Sequence, residues 1–539
     1  MSVQSIREKI NLALYDSKEG VISLFKVGSF LVASLILSLL IYQFGFNPNL
    51  TVKAWILIAI KASFVFYIVK YLTNLLYSYK PTRFIKDSWF EGLLLLLILI
   101  NGTTYLISHE SLLNWLGRQL EFYQLENFYI LFLQSYFFIL VGIELGKAST
   151  HLTLLKMSPP KMLISSFIFL ILIGTGLLMM PEMTSQIEYM PFFDALFTSI
   201  SASCVTGLIV VDTATYFTQK GHTVLMLLIQ LGGLNIISFA TLLALFSKKG
   251  IGIKHQTILQ DNFSSESLLS GKGLLGKIFL FSFFMEFIGM IALYFTWNPG
   301  TNAPLLEDQF FFSLFHSVSA FNNAGFSLFS NGLQNHMVQN AYSMHLILAG
   351  LIFFGAVGFP VIDDVFNINR IKKSFKSSLY KLKLSTRISL YTTFALLLFG
   401  TLMFYFLEQQ NTLNGMTIQG QLITSFFQSI TARTAGFNTV DFSLIGTPML
   451  LIFIFLMFIG ASPGSTGGGI KTSTFTLIIY SALNTIRGKK RIEIEKRTIS
   501  PELLHKAFSI FLFATSSIFI AVFILSISDG EKGILPIAF

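Results

Sequence analysis

Charge is the scarcest commodity in this chain of 539 residues. Asp, Glu, Lys and Arg together make up 12% of it, and there is a single cysteine, Cys204. An ordinary soluble domain is roughly 25% charged. So small a supply cannot furnish a water-facing surface for a chain of this length. It excludes disorder as well, because disordered chains are polar and charge-rich. One cysteine excludes a disulfide scaffold. What is abundant is apolar: 53% of the residues are hydrophobic and 58 are Phe. The class that remains is an all-α polytopic membrane protein. Its net charge of +10 then points to cytoplasmic loops before it points to nucleic acid. Membrane lipid is an expected partner and nucleic acid is not.

Runs of about 18 to 25 apolar residues predict eleven spans. They cover roughly 21–45, 54–77, 89–108, 128–145, 162–180, 222–246, 276–297, 344–365, 387–408, 448–484 and 505–528. With a cytoplasmic N-terminus, the loops called inside hold 26 Lys/Arg against 9 acids, and those called outside hold 5 against 12. That is the asymmetry of the positive-inside rule, and an error of one span would scramble it. The first twenty residues are mixed in charge and precede a long apolar run with no small-residue cleavage site, so they do not read as a secretory signal.

The tenth run, 448–484, has 37 residues. As one helix it would measure about 55 Å at 1.5 Å per residue, against a hydrocarbon core of about 30 Å. Its middle, Gly460 to Gly469, holds five glycines and a proline, which argues for two half-helices joined by a loop. A phosphate loop is the rival reading of Gly464 to Thr472. Ile470 separates Gly469 from Lys471, and the flanks are membrane helix rather than strand and soluble helix, so that reading is rejected.

Three long outside loops share a pattern, and internal repeats define architecture. Each contains an apolar stretch of about half a span that leads to a glycine. Phe197 to Ala202 (FTSISA) precedes Gly207, Phe315 to Ala320 (FHSVSA) precedes Gly325, and Phe427 to Ala432 (FQSITA) precedes Gly436, with the third one residue shorter. Gly207 lies five residues before Asp212, as Gly436 does before Asp441. The unit is span, short re-entrant helix, glycine turn, span. Backbone of this kind survives at membrane depth only when buried in protein or lining water. A helix whose C-terminus points inward favours cations, and glycine at positive φ lets successive carbonyls face one axis and replace an ion's water. Any one such loop is ordinarily a plain turn. Three in register indicate a cation pathway.

These residues resemble the Trk/Ktr/HKT superfamily of potassium transporters. The segments are Ser203 to Asp212 (SCVTGLIVVD), Phe321 to Phe326 (FNNAGF), Thr434 to Asp441 (TAGFNTVD) and Gly460 to Thr472 (GASPGSTGGGIKT). The likeness spans about 155–530 and is nearest the bacterial Ktr/Trk pore subunit. It implies four span–pore-loop–span units around one K⁺ pathway, a homodimer in a bacterial plasma membrane, and a cytosolic nucleotide-binding regulatory ring. K⁺ is then the transported ion, with no cofactor bound by this chain. It assigns filter positions to Val205, Thr206 and Gly207; to Asn323, Ala324 and Gly325; and to Thr434, Ala435 and Gly436. It assigns an intramembrane gating loop to 460–472, with Gly460, Gly464, Gly467, Gly468, Gly469 and Lys471. Plant members that prefer Na⁺ resemble the pattern with serine at the position of Gly207, so glycine there leans towards K⁺. On this reading 155–250, 270–370 and 380–486 are three pore repeats and 500–539 begins a fourth. Residues 1–150 add four spans of unassigned role. The glycine spacing puts a fourth turn at about 547–554, past Phe539. We therefore expect the sequence to be an incomplete record, lacking the fourth turn, the last span and the family's positive residue on it.

Other residues carry open readings. Glu286, inside an apolar run, is either a functional intramembrane acid or a partner for a neighbouring helix. Asp363 and Asp364 follow Gly358-Phe-Pro360 and either draw cations to an inner mouth or end a helix in solvent. Lys471 either closes its loop or meets an acid. Lys61 and Lys70 lack the every-third-residue spacing of a voltage sensor. Arg370 to Arg387 holds seven Lys/Arg and no acid, suited to anionic headgroups or to a regulatory ring. The eight His show no metal-ligand spacing, and Cys204 reads as a small side chain. No catalytic constellation is present, so an enzyme is not expected. The alternatives to K⁺ uptake are a Na⁺-permeable or Na⁺-coupled transporter on the same frame, and a non-conducting subunit that assembles or regulates a partner.

Overall fold

The computed structural model describes residues 15–78, 81–108, 159–186, 189–234, 271–296, 309–366, 382–488, 493–494 and 497–539. The chain divides into two compact units, one of residues 1–156 with 242–250, the other of 157–241 with 251–539. Both are helical. The one sheet among the described residues is two-stranded, with β1 (Glu493–Ile494) paired antiparallel with β2 (Arg497–Thr498). Five described helices are individually long and apolar enough to cross a bilayer, six if the bent pair Tyr342–Val357 and Phe359–Val365 counts as one span. The all-α polytopic class therefore holds.

The first unit contains α1 (Tyr15–Phe46), α2 (Leu50–Leu76), α3 (Pro81–Asp87) and α4 (Trp89–Ser108). Its apolar centre is Ile36, Ile56, Ile60, Phe64, Tyr67 and Leu95. Tyr67 donates its hydroxyl to the Ser29 carbonyl at 3.0 Å, tying α2 to α1. The Lys70 ammonium lies 5.4 Å from the Tyr67 ring centroid, so this cation has an aromatic face beside it. The expected fourth span, 128–145, lies outside the described residues.

In the second unit one pattern is built three times. The first instance is α5 (Pro159–Leu178), α6 (Phe192–Ser203), α7 (Thr213–Tyr216) and α8 (Gln219–Gly233). The second is α9 (Gly271–Thr296), α10 (Gln309–Phe321), α11 (Tyr342–Val357) and α12 (Phe359–Val365). The third is α13 (Leu384–Glu408), α14 (Ile418–Thr431), α15 (Thr447–Phe458) and α16 (Thr472–Ile486). Then come α17 (Pro501–Ser528) and α18 (Ile534–Ala538).

The same hydrogen bond holds each short helix to the long helix before it. Ser199 donates to the Ile171 carbonyl at 2.8 Å, Ser317 to Glu286 at 2.6 Å and Ser429 to Leu397 at 2.8 Å. Three residues beyond each acceptor stands a glycine, Gly174, Gly289 or Gly400, against which that serine packs along with Leu228, Leu351 or Leu456 of the returning helix. Small residues at such positions let helices approach closely where no hydrophobic driving force separates protein from lipid. Large apolar side chains such as Phe169, Phe283 and Tyr391 on the long helices are exposed, and in α17 Ala507 alone is buried.

Two returning helices are interrupted. As the run 448–484 implied, α15 stops at Phe458 and α16 starts at Thr472, with a loop over 459–471. The run 344–365, expected as one span, is instead broken by a 97° bend between α11 and α12. Gly358 sits at the break with φ +85°, a conformation that costs an L side chain dearly. The Phe359 N–H, freed there from helical bonding, donates to the Gly464 carbonyl at 3.1 Å.

Packing at the glycines can be tested directly. A Cβ on Gly289 would stand 2.5 Å from the Ser317 hydroxyl and 2.6 Å from Leu351, whereas one on Gly350 would meet nothing within 4 Å. Gly289→Ala should lower the melting temperature in detergent through overpacking of about 1–3 kcal/mol. Gly350→Ala should leave it unchanged or raise it, since alanine is the better helix former by about 1 kcal/mol. Equal melting of both variants would refute the seam.

Candidate pore turns and the loop beside them

The helices α6, α10 and α14 end at Ser203, Phe321 and Thr431, and each runs into a turn of unusual handedness. Val205 (φ +57°) and Gly207 (+82°) flank Thr206; Asn323 (+58°) and Gly325 (+71°) flank Ala324; Thr434 (+93°) and Gly436 (+82°) flank Ala435. Glycine adopts such angles freely and asparagine with little cost, but valine and threonine do not. The surroundings must impose them. Backbone of this kind can bring successive carbonyls to a common side, as in carbonyl-lined filters.

The imposing contacts recur. The Thr206 N–H donates to the Ser201 carbonyl at 2.8 Å and that of Ala324 to Ser319 at 2.8 Å. In the third copy, one residue shorter, the N–H groups of Ala435 and Gly436 share the Thr431 carbonyl at 2.9 and 3.1 Å. Beyond the glycine, the Ser319 hydroxyl donates to the Phe326 carbonyl at 2.8 Å and that of Thr431 to Phe437 at 2.9 Å. In the second and third copies one small hydroxyl residue thus grips its turn from both ends.

The three turns lie side by side. A Cβ on Gly207 would stand 2.6 Å from the Ala324 carbonyl oxygen and 3.5 Å from the Gly325 Cα. A Cβ on Gly325 would meet the Ala435 oxygen, with the Gly436 Cα at 3.2 Å. The nine residues marked in the sequence therefore gather in one place, with peptide oxygens where side chains would otherwise be.

Behind each turn, three residues before its glycine, stands a different side chain: Cys204, Asn322 or Arg433. Cys204 is exposed. The Asn322 amide nitrogen donates to Gln230 Oε1 at 2.8 Å, to Glu286 Oε1 at 3.2 Å and to the Val318 carbonyl at 2.9 Å, while Gln230 donates to Glu286 Oε2 at 3.0 Å. Of the two readings of Glu286, the bonded one holds: it joins α9 to α8 and to the second turn. Arg433, buried, donates to the carbonyls of Gly460 at 2.9 Å and Thr393 at 3.4 Å. Neither Asn322 nor Arg433 was marked by the sequence pattern, although both occupy the position of Cys204 in their own copies.

The 459–471 loop is packed against the second copy. Ser462 and Thr466 donate their N–H groups to the carbonyls of Ala356 (2.9 Å) and Gly355 (3.2 Å), which the end of α11 leaves free. The Thr466 hydroxyl donates to the Phe321 carbonyl at 3.0 Å and accepts from the Asn323 side-chain amide at 2.8 Å. A Cβ on Gly467 would stand 2.5 Å from the Thr434 hydroxyl, and one on Gly460 would collide with the Gly468 carbonyl. Lys471 donates to the Gly467 carbonyl at 2.7 Å, so it closes its own loop, and it meets no acid among the described residues.

On the other side of the turns, Asp212 caps α7 and accepts from Ser330 of the second copy at 2.7 Å. Asp441 accepts from the Ser443 N–H and hydroxyl at 2.9 and 2.6 Å, and these bonds hold its carboxyl below the usual carboxylate range. Asp364 has a structural place that neither sequence reading gave it. It is buried and accepts from the Lys383 N–H and the Thr386 hydroxyl, both at 2.8 Å, capping the start of α13. Most of the basic stretch from Arg370, residues 370–381, lies outside the described residues. Among the described residues no three His, Cys, Asp or Glu side chains are placed to hold a metal ion.

This geometry has known relatives. The family model TrkH, described as a cation transport protein, matches residues 130–533. The chain belongs to the TrkH family of cation transport proteins. It is 36% identical over 376 residues to Ktr system potassium uptake protein B of Vibrio alginolyticus, covering 69% of this chain and 80% of that one. It is 37% identical over 382 residues to the protein of the same name from Bacillus subtilis, covering 69% and 81%. To potassium/sodium uptake protein NtpJ of Enterococcus hirae it is 32% identical, covering 71% and 83%. The crystal structure of the potassium transporter TrkH from Vibrio parahaemolyticus shares the fold, with a TM-score of 0.54 at 16% identity over 74% of this chain and 78% of that one. Membership makes this a membrane transport protein of the Trk/Ktr pore-subunit type, in a family of transporters rather than enzymes.

The bracing of the second turn by Glu286 gives a separable expectation. Glu286→Leu leaves the amides of Gln230 and Asn322 short of an acceptor, a loss of about 1–3 kcal/mol, and should lower the melting temperature in detergent. Glu286→Gln keeps an acceptor oxygen and should lose less than half as much. Equal losses would show that packing, not hydrogen bonding, is what the residue supplies.

Proposed function

We propose that this chain is the pore-forming subunit of a K⁺ uptake system in a bacterial inner membrane. The observation that supports it most is the abutment of three turns of alternating hand, at Val205–Gly207, Asn323–Gly325 and Thr434–Gly436. Converging peptide oxygens of this kind replace an ion's hydration shell. The negative ends of α6, α10 and α14 point at the same place and favour a cation. The relatives named potassium uptake proteins support the same ion.

On this reading the nine turn residues are the selectivity filter. The 459–471 loop, bonded to the residues that flank two of the turns, is the gate. Asp212 and Asp441 add negative charge at the outer mouth. The ion moves down its electrochemical gradient, and a membrane potential of about 100 mV, worth roughly 2.3 kcal/mol per charge, sustains about fifty-fold accumulation without ATP hydrolysis. The chain acts as a homodimer under a cytosolic nucleotide-binding ring, with the N-terminus in the cytoplasm. The Na⁺-permeable alternative has one specific support, the 32% identity to a protein named for both potassium and sodium uptake.

Gly207→Ser decides between the ions. The new Cβ would press on the Ala324 oxygen at 2.6 Å and displace an oxygen from its neighbour's turn. Rubidium and sodium fluxes in reconstituted vesicles should favour rubidium in the parent and favour it at least several-fold less in the variant. Equal rubidium and sodium permeability of the parent would overturn K⁺ selectivity.

A further inference from the structure

Thr466 lies in the loop, more than a hundred residues from the second turn, yet its side chain belongs to that turn's hydrogen bonding. It donates its hydroxyl to the Phe321 carbonyl at 3.0 Å, the last peptide of α10. It accepts the side-chain amide of Asn323 at 2.8 Å. Its own N–H goes to the Gly355 carbonyl at 3.2 Å. One threonine thus bridges the short helix, the turn and the returning helix of the second copy, from a loop that belongs to the third.

The Asn323 N–H donates to the Ala320 carbonyl at 3.0 Å, but its side chain has little else to hold it. The residue is buried, its Oδ1 has no partner among the described residues, and its other side-chain hydrogen bond is a 3.5 Å approach to the Phe321 carbonyl. Its backbone is left-handed at φ +58°, a conformation that persists when surroundings over-determine it. The Thr466 hydroxyl is the strongest of those constraints on the side chain. No equivalent bridge reaches the first turn in the described residues, and the third turn is tied to the same loop by Arg433, through the Gly460 carbonyl at 2.9 Å.

We infer that Thr466 is a selectivity determinant as well as a gate residue: its hydroxyl positions the Asn323 side chain, so the docked loop adds to the hold that Ser319 has on the second filter turn. This rests on the transport reading above and extends it. Selectivity depends on how many peptide oxygens are presented and how firmly they are held. Removing the hydroxyl leaves the Asn323 amide and the Phe321 carbonyl without their shared partner, and buried groups in that state drive local rearrangement. Opening of the loop and loosening of the second turn are then one event. A transporter open at its gate discriminates less sharply than the same transporter at rest.

The test uses the full chain reconstituted in lipid vesicles, with rubidium and sodium fluxes measured on the same preparations. Thr466→Val is nearly isosteric and lacks the hydroxyl; Thr466→Ser retains it. Thr466→Val should raise rubidium flux several-fold and lower the rubidium-to-sodium ratio about tenfold, while Thr466→Ser keeps the parent's ratio. A faster Thr466→Val with the parent's ratio makes the loop a gate alone and overturns the inference. So does a Thr466→Ser as unselective as Thr466→Val, because shape rather than the hydroxyl would then matter. If Thr466→Val fails to reach the membrane, Thr466→Ala removes the same hydroxyl and is read by the same ratio. A parent that passes rubidium while the variants keep its ratio refutes the coupling alone. A parent that passes none refutes the transport reading, and the coupling falls with it.

Discussion

Everything in the second unit answers to one constraint: peptide groups that leave a helix at membrane depth have no water to bond with. Each interruption is therefore paired with another. The end of α11 frees the carbonyls of Gly355 and Ala356, and the loop after α15 supplies the N–H groups of Thr466 and Ser462 to fill them. The bend at Gly358 frees the Phe359 N–H, and the Gly464 carbonyl takes it. Neither break would be tolerable alone. The α11–α12 bend and the loop are two halves of one hydrogen-bonded structure, although 105 residues separate Phe359 from Gly464.

The departures from threefold likeness are as informative as the likeness. In the first two copies a glycine four residues after the seam leucine, Gly232 or Gly355, lets the returning helix press on the Ser203 or Phe321 carbonyl. In the third copy the glycine at that place is Gly460, where the helix has already ended and the chain folds onto Gly468. The same site thus serves as a close contact twice and as a break once. Arg433 accompanies the break. Its guanidinium bonds the Gly460 carbonyl, a group that a continuous helix would have satisfied internally. Where the first copy has Cys204 and the second a neutral Asn322, the third needs a long donor because there is an orphan acceptor to reach.

Much of this was legible in the sequence, and the boundary between what was and was not has a physical cause. The three turns were visible because glycine and small residues recur in register, with a following aspartate in the first and third, and local pattern reflects local backbone demand. The break in 448–484 was visible because five glycines and a proline cannot sustain a helix. The bend at Gly358 was not, though Gly358-Phe-Pro360 was in plain view: one glycine before one proline is compatible with a helix end. What fixes φ at +85° there is a partner from 463–464. Asp364 was misread for the same reason, since its acceptor role depends on Lys383 and Thr386. Asn322 and Arg433 escaped because the repeat was sought through likeness, and they mark where the copies differ.

The strength of the loop's attachment bears on what can move it. Five hydrogen bonds join it to the second copy: those of Ser462 N–H, Thr466 N–H, the Thr466 hydroxyl, the Asn323 amide and the Phe359 N–H. Each is neutral and worth about 0.5–1.5 kcal/mol net, so the attachment as a whole amounts to roughly 3–7 kcal/mol. Thermal motion alone would then seldom release the loop. On the gate reading proposed above, a regulator would have to prefer the released state by about ten-thousand-fold, some 5.5 kcal/mol, to reverse even a hundred-to-one bias, which is the weakest end of that range. A salt bridge anchoring the loop inside the bilayer would have raised that demand sharply once one partner moved away. Lys471 instead turns back on the Gly467 carbonyl. On the gate reading proposed above that charge would travel with the loop, since among the described residues its hydrogen bond is to the loop's own Gly467 carbonyl.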